Sequence, residues 1–120
     1  MKGAQVSRSL VEFIDLYPTI ADFCGLKMPH AAAGTSLRPV LAKPDATVKD
    51  AAFTVVSRGP KLSAQSVRTA RWRFTRWSDG QTELYDHDRD HEELRNVADQ
   101  QPAVVKELAI RLQSLSKLSP

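Results

Sequence analysis

SVRTARWRFTRWSDGQTELYDHDRDHEELRNVAD, residues 66–99, decides how this chain folds. It carries both tryptophans, four closely spaced arginines and about half of the carboxylates. Ser66 to Ala70 and Arg71 to Trp77 are rich in β-branched and aromatic residues, which suit a pleated surface. Ser78-Asp79-Gly80-Gln81 supplies a reversal, because Gly80 accepts the positive φ of a tight turn. Thr82 to Tyr85 then returns as a second strand. At a period of two, Trp72, Phe74 and Arg76 point one way and Arg71, Arg73, Thr75 and Trp77 the other. The spacing predicts a hairpin with one apolar and one basic face, with Trp72 and Phe74 buried beneath a terminal helix.

That helix begins at Pro102, a good first helical residue. Val104, Leu108, Leu112 and Leu115, flanked by Val105 and Ala109, repeat at spacings of three and four. Upstream of the hairpin, Ala51 to Ser57 reads as a strand, and Arg58 to Ala64 breaks it with Gly59-Pro60. Lys43 to Lys49 reads as a linker.

The first third is different. Val6 to Ile14 is a largely apolar extended segment. Asp15 to Gly25 reads as a capped helix of about two and a half turns. Asp15 stands at its N-cap, Pro18 in its first turn, and Gly25 where a left-handed residue ends it. Leu16, Ile20 and Phe23 form its apolar stripe. Ser36 caps a second short helix, Leu37 to Ala42, with Pro39 in the first turn. These helices have little of their own to pack against, which points to a partner surface.

At 120 residues, with 42% hydrophobic and 26% charged side chains, the chain is the size of one ordinary domain. No apolar run approaches the roughly 20 residues that span a bilayer, so no membrane partner is expected. The N-terminus lacks the pattern of a secretory signal. The single cysteine, Cys24, excludes an internal disulfide framework. A net charge of +3 is only mildly basic, because acids cluster as well as arginines.

Four groupings invite a chemical reading. Asp86, Asp88 and Asp90 match the first, third and fifth positions of a calcium loop. His91 stands where that loop needs glycine and Val97 where it needs glutamate, so the pattern fails at both discriminating places. His87 and His91 have ligand-like spacing without a third ligand. Arg68, Arg71, Arg73 and Arg76, interleaved with aromatics, resemble a nucleic-acid surface in composition, but Trp72 and Phe74 share a face that must be buried. Cys24 has no neighbouring base to activate it. No catalytic or metal residue is expected in this chain.

Two passages resemble the sulfatase family. SLVEFIDLYPTIADFCGLKMP, residues 9–29, is similar to that family's Asp-Leu-Tyr-Pro-Thr helix and its Gly-Leu-x-x-Pro exit. Gly34-Thr35-Ser36-Leu37-Arg38-Pro39-Val40-Leu41 follows in the family's order. SVRTARWRFTRW and ELYDHDRDHEELRNVAD then resemble the family's C-terminal pattern, in wording closest to iduronate-2-sulfatase-like members. The departure is Asp90-His91, where the family usually has Asp-Pro.

The resemblance implies the last part of a sulfate-ester hydrolase. The implied fold is α+β, a small antiparallel sheet packed on a C-terminal helix. Short helices from the tail of an α/β, alkaline-phosphatase-like domain precede it. Residues 1–48 would be that tail and 49–120 the C-terminal subdomain, which helps wall the substrate cleft. The family's calcium and formylglycine belong to a region upstream of the one matched here. Cys24 is followed by Gly25, Leu26, Lys27 and Met28 and does not fit the C/S-x-P-x-R modification motif. The chain alone is therefore expected to be inactive. Its partners would be the catalytic domain and a sulfated sugar, and nucleic acid is not expected. Full-length members would be secreted or periplasmic. Arg58, Lys61 and Arg68 are the candidate substrate contacts, since arginine forks suit sulfate oxygens. The rival reading is a free-standing basic module for a polyanion, either nucleic acid or a sulfated glycan.

Overall fold

The computed structural model describes residues 5–28 and 32–115, the last two by their backbone alone. It divides into two compact units, Met1–Ala52 and Phe53–Pro120.

In the first unit an extended lead-in runs to a 3-10 turn, Phe13–Asp15, which feeds helix α1, Leu16–Phe23. Cys24 caps α1, and Gly25 follows with φ of 65°. Helix α2, Arg38–Ala42, carries Pro39 in its first turn. Ser36 is its lead-in: the hydroxyl donates to Asp22 Oδ2 (2.7 Å) and accepts from the Arg38 N–H (3.3 Å). The loop before α2 lies so close to the 3-10 turn that a Cβ on Gly34 would sit 2.1 Å from the Ile14 carbonyl oxygen. Only glycine fits there.

Asp15 stands at the start of α1 as expected, but its side chain makes no capping bond to that helix. It has no solvent exposure, and its carboxylate accepts from the backbone N–H groups of Glu12 (2.8 Å) and Thr35 (2.9 Å) and from Lys49 Nζ (2.6 Å). Lys49 also reaches Glu12 (2.7 Å), so the segment Lys43 to Lys49 ends pinned rather than loose. The expected apolar stripe of α1 is not buried within the described residues. Leu16, Ile20 and Phe23 are each at least half exposed, while Pro18, Thr19 and Ala21 face inward. The interior is taken by small and polar groups that satisfy the Gly34–Leu37 loop; Thr19 Oγ1, for instance, accepts from the Leu37 N–H (2.9 Å).

The second unit is a sheet of four strands in the order β1-β2-β3-β4, covered by a helix. The strands are β1 Ala52–Arg58, β2 Leu62–Arg68, β3 Trp72–Trp77 and β4 Thr82–Asp86, and helix α3 is Pro102–Leu115. Strands β2–β3 and β3–β4 pair antiparallel. Val67, Phe74 and Leu84 stand opposite one another across the three strands, and Leu108 and Leu112 of α3 complete a core with 2% exposure or less. The hairpin across Ser78–Gln81 and the terminal helix are as predicted; the Leu115 side chain lies outside the described residues.

Two expectations need correction. Strand β2 begins at Leu62, before the expected Ser66, because Ala64 and Gln65 are needed opposite Trp77 and Arg76. Trp72 is half-buried and not fully enclosed as Phe74 is. It stands opposite Asp86 at the end of the ladder, where Arg71 lies over its ring, 4.5 Å from the centroid.

The outer edge of β4 is closed by one side chain. Asn96 Oδ1 accepts from the Leu84 N–H (3.0 Å) and the Ala98 N–H (3.0 Å), and Nδ2 donates to the Thr82 carbonyl (3.0 Å). Val97 adds a backbone bond to the Leu84 carbonyl (2.9 Å).

Candidate functional site

The arginines of the hairpin divide into two sets. Arg71 grips Asp86 with both ends of its fork (2.9 and 2.7 Å) and lies 3.4 Å from Asp88. That fork holds the Asp86 carboxyl below the usual carboxylate range. Arg73 pairs with Glu93 and lies over the Tyr85 ring. These two are neutralised by the acidic loop.

The others have no carboxylate at ion-pair distance among the described residues. Arg68 donates to the carbonyls of Thr69 and Trp72, and burial together with the Arg73 charge pulls its pKa below that of an ordinary arginine. Arg76 donates to Gln65 Oε1 (3.2 Å). Arg58 lies over the Trp77 ring, 5.4 Å from its centroid. Lys61 is exposed in the β1–β2 turn.

The sequence grouped Arg58, Lys61 and Arg68, but the structure separates them. Arg58 and Lys61 flank the turn that opens β2, and Arg68 closes that strand, seven residues spanning roughly 20 Å. There are thus two basic ends. At the Arg68 end, His87 Nε2 donates to Glu93 Oε1 (2.5 Å), and the His91 ring stands edge-on 6.3 Å away. Burial and the charges of Arg68 and Arg73 hold the His87 pKa below the ordinary imidazole value. At the other end, Val55, Ser63, Ala64, Gln65, Arg76, Trp77 and Ser78 line a cleft of about 250 Å³. The indole N–H of Trp77 donates to Glu83 Oε1 (3.0 Å), which fixes the ring. Sequence reasoning assigned Trp77 to the basic face but did not see the cleft, since pairing with β2 builds it.

The acidic loop is built for its own backbone. Asp90 accepts from the N–H groups of Leu94 (3.1 Å) and Arg95 (2.9 Å), and Asp86 accepts from that of Asp88 (3.2 Å). With Asp86 also held by Arg71, these carboxylates do not fit a calcium loop. Cys24 is exposed at the end of α1, and the residues that follow it do not fit the formylglycine motif.

Comparison with known proteins places this geometry. Residues 1–118 match the family model described as N-sulphoglucosamine sulphohydrolase, C-terminal. The chain is 32% identical to arylsulfatase K of Rattus norvegicus over 120 residues, 89% of this chain and 21% of that protein. Among solved structures, it is similar to a protein in complex with its substrate D-glucosamine-2-N,6-O-disulfate. That likeness has a TM-score of 0.75 and 26% identity, over 86% of this chain and 23% of the other. It is also similar to a 2-O GAG sulfatase, with a TM-score of 0.67 and 28% identity, over 87% of this chain and 23% of the other. The chain spans about a fifth to a quarter of the length of these relatives. It belongs to the sulfatases, as a member of their N-sulphoglucosamine sulphohydrolase C-terminal family.

Proposed function

We propose that this chain is the C-terminal part of a sulfate-ester hydrolase acting on a sulfated glycan, with the nucleophile and calcium supplied by a catalytic portion outside it. The observation that carries this reading is the match of residues 1–118 to a C-terminal sulfatase family. The substrate held by one structural neighbour, a sulfated glucosamine, supports a glycan. The 2-O GAG sulfatase among the neighbours supports the finer reading, hydrolysis of a 2-O-sulfated uronate in the manner of iduronate-2-sulfatase. Residues 1–48 then serve as the tail of the catalytic domain, residues 49–120 as the subdomain that walls the cleft, and Arg58, Lys61 and Arg68 as contacts to sulfate. Hydrolysis needs a nucleophile, a metal and a proton donor, whereas Asp86 is held by Arg71, Asp90 by backbone N–H groups and His87 by Glu93.

The test is a chimera in which this chain replaces the matching segment of arylsulfatase K, assayed with sulfated disaccharides in calcium-containing buffer. The expected result is turnover by the chimera, none by the chain alone, and preference for a 2-O-sulfated uronate. Turnover by the isolated chain that depends on Cys24, His87 or His91 overturns the reading, as does a folded chimera without turnover. The rival, a free-standing polyanion module, is favoured by the carboxylate-free Arg58, Arg68 and Arg76. Salt-sensitive binding of nucleic acid by the isolated chain would select it.

A further inference from the structure

We propose that the loop of residues 87–95 is a latch that acid loosens, with the His87–Glu93 hydrogen bond as its catch and Arg68 and Arg73 as the charges that oppose a further proton on His87. The proposal stands apart from the sulfatase reading and concerns only this loop and the strands beside it.

The register sets the charges. Arg68 of β2 and Arg73 of β3 are Cα partners, so they share the face turned away from the Val67, Phe74 and Leu84 core. Like charges directly opposite one another repel. One carboxylate answers them: Glu93 pairs with Arg73 through one oxygen and accepts from His87 Nε2 through the other (2.5 Å). A carboxylate only accepts, so Nε2 carries the hydrogen and a further proton must enter at Nδ1. That proton adds no hydrogen bond to Glu93, only a third positive charge beside Arg68 and Arg73. The His91 ring, edge-on 6.3 Å away, adds a fourth when it protonates. The His87 and Glu93 side chains are only 16% and 17% exposed, so these charges are poorly screened. The other acids nearby are engaged. Asp88 lies 3.4 Å from Arg71, and Asp90 accepts from the Leu94 and Arg95 N–H groups, which hold its carboxyl below the usual carboxylate range. Glu93 also has a φ of 57°, unfavourable for a residue with a Cβ, so its backbone gains by release once the side-chain bonds are lost.

The sign follows from the same neighbours. Burial, then Arg68 and Arg73, hold the His87 pKa below the ordinary imidazole value, against the weaker pull of Asp90. The opened loop therefore takes the proton more readily than the closed one. The contribution of His87 to closure is full above the ordinary value and is lost as pH falls through the lowered one. Opening takes the carboxylate from Arg73, so a neutralised edge of the sheet becomes a basic one.

The measurement is millisecond hydrogen exchange in the full chain, corrected for the intrinsic rate, from about pH 7.5 to 5, where imidazoles titrate. We expect protection of the 87–95 amides to fall with pH while that of residues 62–77 holds. The reporting bonds are those of the Glu93, Leu94 and Arg95 N–H groups to Asp90. His87→Gln keeps an N–H for Glu93 and has no proton to gain, so its loop should stay protected across the whole range. Arg68→Gln removes an opposing charge and should shrink the acid loss. Glu93→Gln should lower loop protection already at the neutral end, since Arg73 loses its ion partner. Protection of residues 62–77 shows in each variant that the sheet is folded. Loop protection independent of pH in the unsubstituted chain overturns the latch. So does an undiminished acid loss in His87→Gln or a deeper one in Arg68→Gln. Disappearance of the loss in His91→Gln, with His87 intact, also overturns it by assigning the effect to the exposed imidazole.

Discussion

Lys49 and Asp15 show how much one pair can carry in a unit of some fifty residues. The Asp15 carboxylate is fully buried and accepts two backbone N–H bonds besides the ammonium. Removing Lys49 strands that charge, so Lys49→Ala should cost about 3–5 kcal/mol of local stability. Hydrogen exchange across residues 13–23 reads this directly as lost protection. The pH dependence has a definite sign. Burial raises the Asp15 pKa, but Lys49 and the two N–H groups outweigh it, and the carboxyl titrates below 3.8. Burial lowers the Lys49 pKa, but Asp15 and Glu12 outweigh it, and the ammonium titrates above 10.5. The pair's contribution is therefore full between about pH 4 and 10. It fades as pH falls through the lowered Asp15 value or rises through the raised Lys49 value. Gly34→Ala should disrupt the same region, since its Cβ would meet the Ile14 carbonyl. Asp15 was legible in the sequence as a helix-start residue, but not as an ion partner. The link to Lys49 crosses 34 positions that no local pattern connects.

At the level of elements, the sheet and its helix behave as one core. Leu108→Ala or Leu112→Ala should each destabilise the second unit by about 2–5 kcal/mol, measured by denaturant melts; wild-type melting would refute the packing. Asn96→Ala removes three hydrogen bonds and leaves the Leu84 N–H unanswered at the sheet edge, at a cost of about 1–3 kcal/mol. The hairpin and α3 were readable because each has a clean period and a marked boundary, Asp79-Gly80 for one and Pro102 for the other. The start of β2 was not. Leu62 to Gln65 carry little strand signal of their own, and Ala64 and Gln65 are held extended by pairing with β3. The α1 stripe was read correctly as apolar and wrongly as internal, because periodicity reports a face and not what covers it.

For the molecule as a whole, the first unit presents Phe13, Tyr17, Ile20, Phe23 and Leu26, all more than half exposed. So much apolar surface marks a contact face. The isolated chain should self-associate at micromolar concentration, seen by light scattering, and Phe13→Ser with Ile20→Ser should restore the monomer. A monomeric unsubstituted chain would show that this surface is tolerated bare. The candidate site was half legible in the same sense. The sequence names Arg58, Lys61 and Arg68 together, but their division between two ends of the sheet depends on how far β2 extends, which the paired register reveals.

The amide of Asn96 gives the sheet a polarity in assembly. Among the described residues, Asn96 and Val97 take the outward backbone groups of Thr82 and Leu84, so the β4 side is closed to a further strand. An extended segment that docks by its backbone is thereby turned away from β4.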